Sequence, residues 1–456
     1  MPRKMLIVDV AALSPREIGE HTPNLRALAD RGGVYPVSEP FPSLTCTSHA
    51  TLLYGSLPSD HGMVGNCLYS REYAKLFNWN RSSHLISGTP IWEAARAREP
   101  QLRTANLFLR HCADTSCEIR VTERPVYWIS GHKQFEFFAQ SPALHAELVQ
   151  ALGAFPFPSF WGPFADIRST RWIIGAAMHV MERSNPELVL VYPPFLDYDV
   201  ARFGPDSPEA AAALRTLDAA LLPLLQAANS QDRDVLIVSD YGFTAVDQPV
   251  HLNRVLRRAG YLNAEPAPNG ERLDPGTSRA FAVCDNQVAH VYIARADDIA
   301  PVRALLESTP GVAQVLDAAA QRGLGIAHAR SGELIATASP RAWFSYAYWL
   351  DERDTPDFAD CVAVFDKIGT DTCELFLKPG LAGKLHAAKR LAQLKLGLKV
   401  PFDIVDIDES KVRGARRIAR DDPQRGAAAV TSWNLGQSGS VPMQNLKELV
   451  LARMFD

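Results

Sequence analysis

The chain has 456 residues, 47% hydrophobic and 21% charged, with a formal net charge of −4. That balance excludes a disordered, collagen-like or small disulfide-stapled protein and leaves length for two or three units, or one large core with insertions. Seven thinly scattered cysteines, an odd count, predict free thiols rather than a disulfide framework. Near-neutral charge argues against nucleic acid as a partner. No window approaches the roughly 20 apolar residues of a membrane span, so no membrane partner is expected. Asp9 interrupts the apolar stretch that a signal peptide would need, which predicts a cytoplasmic location.

In chain order, MLIVDV reads as a buried strand ending at Asp9. TPNLRALADRG follows as a helix, with Thr22 as N-cap, Pro23 at the first position and Gly32 as the stop. In PFPSLTCTSHATLLYGSLPSDHGMVGN, Thr45 precedes a helical run. A hydroxyl there sits near a helix N-terminus, where unpaired amides and the helix dipole favour an anion. From about 66 to 167 the periodicity fades, and PFPSFWGPFADIRSTRW, crowded with Pro and aromatics, reads as an ordered connection able to line a pocket. ELVLVYPPFLDYD brings Asp197 and Asp199 after a second strand. Ser207-Pro208 opens a helix with Leu214, Leu217, Leu221 and Leu224 on one face, and DVLIVSDYG ends a third strand at Asp240.

These alternations predict an α/β fold, a doubly wound and mostly parallel sheet, whose strand ends gather ligand groups. Residues 1–254 form the first part of the core, 255–360 an inserted α+β cap, and 361–456 the second part of the core, beginning with DCVAVFDKIG and closing with the helix NLKELVLARMFD. Thr45 is a candidate nucleophile, and Asp9, Asp197 and Asp240 are candidate cation ligands, because phosphoryl transfer by a hydroxyl needs an activated oxygen and carboxylates to hold positive charge. Ser48, Tyr241 and His290 are candidate substrate contacts. His49 and His61 read as structural hydrogen-bonding groups, and Asp199 as a local one. The Cys112–Cys117 stretch beside His111 lacks the second Cys pair of a zinc site. Trp343, Phe344, Tyr346, Tyr348 and Trp349 read as core strand residues, with a stacking surface as the alternative. Of Arg413, Arg416, Arg417 and Arg420, Arg416 alone has a positional reason to face inward.

That reason is a resemblance. In order, the segments LIVDV, TPNLRALADRG, PSLTCTSHATLLYGSLPSDHG, PPFLDYDVARFGPDSP, VLIVSDYG, AWFSYAYWL, ELFLKP and VRGARRI resemble the alkaline phosphatase superfamily, in its nucleotide pyrophosphatase/phosphodiesterase branch. The resemblance implies that Asp9, Thr45 and Asp240 serve one metal, that Asp197 serves a second, and that Thr45 attacks phosphorus. This chain departs from the pattern where the family usually has histidines: Ala201 four residues after Asp197, Tyr241 after Asp240, Arg416 in the late Gly-x-His position, and a replaced stretch around Phe365.

Loss of imidazole nitrogens disfavours zinc, while the remaining oxygens suit one divalent cation such as Mg, Mn or Ca, or none. Arg416 would bring a fixed charge able to clamp phosphate oxygens, and is counted with Thr45 as catalytic. The reading that follows is a phosphodiesterase-like hydrolase taking a small phosphoester or related anion, with reduced or altered metal dependence. Its alternatives are a metal-poor pseudoenzyme that binds an anionic ligand or partner, and a biosynthetic enzyme with repurposed non-zinc chemistry. The sequence leaves the oligomeric state open.

Overall fold

Lys4–Asp9 is the middle strand of a large sheet, because its side chains from Met5 on are apolar and buried on both faces up to Asp9. The structure, a computed structural model, describes residues 2–129, 133–418 and 421–456; Arg420 lies outside the described residues. Among them the sheet has nine strands. Arg233–Val238, Lys4–Asp9, Leu188–Val191, Thr104–Leu107 and Ile119–Glu123 run parallel in that spatial order, and Phe137–Ala139 closes one edge antiparallel. On the other side Ala428–Thr431 inserts antiparallel between Arg233–Val238 and Gly33–Ser38, and Val441–Pro442 lies beyond.

Register brings the strand ends together. Asp9 pairs with Val238, and Val8 with Val191, so the chain leaves three neighbouring strands at one level. Tyr192, Asp197 and Asp240 follow those exits. This is the carboxyl-end crevice where α/β sheets gather ligands.

Helices cover both faces for the reasons visible in their sequences, with one exception. Ser207 Oγ accepts the Ala210 amide at 3.1 Å, starting helix Pro208–Ser230, whose Leu214, Leu217, Leu221 and Leu224 are buried. That helix is long and apolar enough to cross a membrane by composition alone, but its apolar face is in this core. Helix Pro23–Ala29 is not capped by Thr22, whose hydroxyl instead donates to Glu17 O at 2.7 Å. Its amides at Asn24 and Leu25 are taken by the buried carboxylate of Asp218, at 3.1 and 2.9 Å. Gly32 does more than end the helix: a Cβ there would stand 2.3 Å from Thr431 O.

A second, antiparallel sheet of four strands is ordered Ala280–Asp285, Val288–Ile293, Leu334–Ala338, Val312–Leu316, with helix Ile299–Glu307 beside it. Trp343 is buried beside Val246 and Val412, and Phe344, Tyr346, Tyr348 and Trp349 are buried against this sheet, so the aromatic stripe is core. The segment DCVAVFDKIG adds no strand to the main sheet; Ile368 enters the core of the small sheet and Gly369 bridges to Cys284.

Candidate active site

Thr45 opens helix Thr45–Tyr54, all ten of whose side chains are buried. Its first turn is held by Asn66, whose Oδ1 accepts the Cys46 amide at 3.0 Å, and the helix ends at Gly55 with φ +69°. Ser48, one turn in, donates its hydroxyl to Asp240 O at 2.6 Å and so pins the loop after Arg233–Val238. That spends the group expected to touch substrate.

His49 lies four residues after Thr45, on the same helix face. Its Nε2 is 3.1 Å from Asp9 Oδ2 and 3.8 Å from Asp240 Oδ2. Asp9, His49 and Asp240 bring one ligand-type atom each within 4.8 Å of one another. His49 therefore lies inside the site as well as being the hydrogen-bonding group expected. Its role follows from its other nitrogen: Nδ1 accepts the Arg110 amide at 3.0 Å, so a neutral ring carries its proton on Nε2, facing the carboxylates. Metal-ligating histidines show the opposite arrangement, donating their second nitrogen. Burial, then the charges of Arg110 and Arg416, hold the imidazole well below its ordinary pKa and keep it neutral. His49 thus sets an N–H beside Asp9, although the 3.1 Å approach does not have the geometry of a hydrogen bond.

Both oxygens of Asp9 and Oδ1 of Asp240 are buried without a hydrogen-bond partner. Burial pushes both carboxyls well above the usual range, and the Asp9 charge adds to this at Asp240. Orphaned carboxylate oxygens side by side fit one hard divalent cation, which would let both ionise.

Asp197, in the first turn of helix Phe195–Phe203, has a different neighbour. The short strand Gly414–Arg416 pairs antiparallel with Phe243–Ala245 and delivers Arg416 into the site. Arg416 Nη2 is 3.3 Å from Asp197 Oδ2, its Nη1 is 3.9 Å from Asp285 Oδ1, and its guanidinium lies 4.5 Å from the Tyr241 ring centre. Burial works against this charge, but the carboxylates of Asp197 and Asp285 outweigh it and hold the guanidinium well above its ordinary pKa. The place implied for a second metal at Asp197 holds an arginine, and Nη1 keeps an unspent buried donor.

Tyr241 lies under Arg416, fully buried, with its hydroxyl 3.4 Å from Thr45 Oγ1. Burial raises its phenol pKa well above normal, so it stays protonated. It supports the floor rather than touching substrate. His290 is far from this arrangement in role: Nε2 meets Val64 O at 3.0 Å and Nδ1 accepts the Gly332 amide at 3.1 Å. The expected substrate contact is a clasp for the small sheet. His61 is similarly spent on Thr51 Oγ1 and the Met63 amide, Asp199 pairs with Arg202, and Cys112 and Cys117 are buried free thiols.

Thr45, Asp197, Arg416 and Arg110 share a cavity walled by Trp79, Phe135, Phe157, Phe160, Trp161, Tyr198 and Phe402. Arg110 is a second, partly buried guanidinium, paired with Glu123 and 4.7 Å from the Trp79 ring centre. No motif announces Arg110. Asp285, which accepts from Asn66 Nδ2 at 2.7 Å, had a weak signal in the Asp-Asn turn between two apolar runs. The turn residue Asn286, at φ +57°, accepts the Arg416 amide at 3.1 Å, so the small sheet steadies the site.

The family model for type I phosphodiesterase/nucleotide pyrophosphatase matches residues 5–362. The chain belongs to that family. It is thereby a member of the alkaline phosphatase superfamily, and its α/β sheet agrees. An uncharacterised pyrophosphatase/phosphodiesterase of Schizosaccharomyces pombe is 25% identical over 277 residues, 58% of this chain and 49% of that protein, so the match spans about half the length of that curated relative. Phosphonoacetate hydrolase from Sinorhizobium meliloti 1021, in complex with phosphonoacetate, superposes with TM-score 0.65 at 14% identity over 99% of this chain and 96% of that one. Human ectonucleotide pyrophosphatase/phosphodiesterase 5 gives 0.60 at 14% identity, over 99% and 95%. Those two likenesses are of fold.

Proposed function

We propose that this family member hydrolyses a small phosphoester through Thr45, using one cation position and one arginine where the family resemblance implies two metals. The observation that carries the reading is that Thr45 lines a cavity together with Arg110 and Arg416, while the Asp9–Asp240 pair meets His49, one turn along the same helix. A family of phosphodiesterases and pyrophosphatases supports a phosphoester hydrolase-like activity. Relatives' ligands point the same way, since a murine ectonucleotide pyrophosphatase/phosphodiesterase 5 structure holds AMP and the Sinorhizobium meliloti enzyme holds phosphonoformate.

Thr45 gives its hydroxyl proton to solvent and Oγ1 forms a bond to phosphorus, while the ester oxygen leaves with its electron pair and is protonated by solvent. Water then attacks phosphorus, releasing the phosphoryl group and restoring the hydroxyl. Arg416 Nη1 and Arg110 bind the equatorial oxygens, whose negative charge is greatest in the transition state. A divalent cation held by Asp9 and Asp240 would supply the charge that lowers the pKa of the hydroxyl. His49 places a neutral N–H beside Asp9, and the aromatic walls exclude water and favour a substrate with an apolar or ring-shaped substituent.

The test is turnover of an aryl phosphodiester and an aryl phosphomonoester with Mg, Mn, Ca or Zn, together with mass spectrometry for phosphorylated Thr45. Metal-dependent turnover and its loss in Thr45→Ala are expected. Turnover by Thr45→Ala equal to wild type overturns the nucleophile. A second reading, an anion-binding protein without turnover, is favoured by the Asp197–Arg416 pair alone; it takes precedence if inorganic phosphate binds in calorimetry while no ester is cleaved with any metal.

A further inference from the structure

Helix Gly380–Lys395 presents a surface that the catalytic reading does not use. Between Glu374 and Asp403 the sequence has no acidic residue but contains Lys378, Lys384, Lys389, Arg390, Lys395 and Lys399, in a chain whose overall charge is negative. One side of the helix is committed: Ala387, Leu391 and Leu394 pack with Phe402, Ile404 and Val362, and Arg390 grips Asp403 at 2.6 and 2.9 Å. The other side carries large apolar groups in water. Leu381 and Leu385 are 73% and 61% exposed, and Leu396, just past the helix end, is 77% exposed. At 3.6 residues per turn these three fall on one stripe with the exposed Ala388 and Ala392, and exposed Lys384 and Lys389 flank it.

We propose that this face is a docking surface for an anionic lipid bilayer. An apolar stripe flanked by lysines is the pattern that seats a helix in the headgroup region, leucines down and ammonium groups at the phosphates. Charge selects among the other occupants. A second copy docked face to face would set lysines against lysines, and a nucleic acid backbone offers the leucines nothing to bury against. Attachment of this kind needs no spanning segment.

The position of the helix gives the docking a use. Phe402 and Val362, on which its inner face rests, are also walls of the Thr45 cavity. A bilayer under the outer face would therefore be one helix away from the cavity wall, a place from which it could supply phosphoesters with apolar tails. That consequence rests on the hydrolase reading; the docking itself does not.

The experiment is co-sedimentation of the full chain with vesicles of phosphatidylcholine alone and of phosphatidylcholine with phosphatidylglycerol. The protein should pellet with the anionic vesicles only, and raised salt should release it. Lys384→Glu/Lys389→Glu should weaken binding about tenfold or more, at roughly a factor of five per basic residue near the surface, and Leu381→Ser/Leu385→Ser should weaken it several-fold. Both variants should keep the wild-type thermal melt and wild-type turnover of a soluble aryl phosphoester, which separates failed docking from a failed hydrolase. The proposal is overturned if the anionic vesicles pellet no more protein than neutral ones, or if both variants bind like wild type. It is equally overturned if wild type is a dimer that the leucine variant dissociates, with no lipid bound.

Discussion

Arg416 Nη2 stands 3.3 Å from Asp197 Oδ2, and both groups are buried at the floor of the same cavity. A guanidinium offers fixed charge and directed N–H groups but cannot activate a hydroxyl or a water as a metal does. On the proposed reading, activation of Thr45 falls to a cation held by Asp9 and Asp240.

Removing the arginine should cost stability before it costs anything else. Arg416→Met leaves Asp197 and Asp285 buried without their cation, so unfolding free energy should fall by about 3–5 kcal/mol. Arg416→Met/Asp197→Asn should recover part of the loss. Thermal or urea melts check both; a single variant as stable as wild type would mean that the two carboxyls are held by other groups.

The tautomer assigned to His49 separates a metal ligand from a proton-bearing neighbour of Asp9. Equilibrium dialysis with Mn should give at most one tightly held ion per chain, abolished by Asp9→Asn or Asp240→Asn. His49→Gln should keep that stoichiometry, because a side-chain amide can still accept from the Arg110 amide and a protonated Nε2 is no ligand. Complete loss of the ion in His49→Gln would make Nε2 a ligand and reverse the assignment.

Tyr241 should not act as a base. Its phenol is held protonated by burial and its contact with Thr45 is long, at 3.4 Å. Tyr241→Phe should therefore change kcat less than tenfold, against several kcal/mol of transition-state stabilisation lost in Thr45→Ala. Equal losses in the two variants would put the tyrosine in the proton path.

How much of this was legible in the sequence depended on whether a residue's partner was near it in the chain. The strands ending at Asp9 and Asp240, the Ser207 cap and the leucine face of Pro208–Ser230 are written in local pattern. Register then makes the carboxylates meet. The Asp218 cap on helix Pro23–Ala29 comes from 194 residues away, and only the folded chain reveals it. Arg110 and Glu123 lie in a stretch without periodicity, where a lone arginine reads as surface. His49 was visible, but its role depends on which ring nitrogen faces the Arg110 amide. His290, in an apolar alternation, offered no sign that both its nitrogens would be used by backbone.

Glu17 gives the protein a pH dependence far from the site. Its Oε2 accepts the Ser14 amide at 2.7 Å, and burial, opposed by that hydrogen bond and by Arg16, raises its pKa to about 7 from an ordinary 4.5. The folded chain therefore keeps a proton that the unfolded chain releases between about pH 4.5 and 7. Bound protons are then more numerous in the folded state, and stability falls as pH rises through that window, levelling off above it. A tenfold difference in proton affinity between the folded and unfolded chain is worth about 1.4 kcal/mol. Partial exposure of the side chain reduces the total, so a decline of about 1–2 kcal/mol is expected. Glu17→Gln retains an oxygen for the Ser14 amide and cannot ionise. Urea unfolding at pH 5 and pH 8 should show wild type losing stability relative to Glu17→Gln by that amount at the higher pH, and parallel behaviour of the two proteins would mean that Glu17 is ionised throughout.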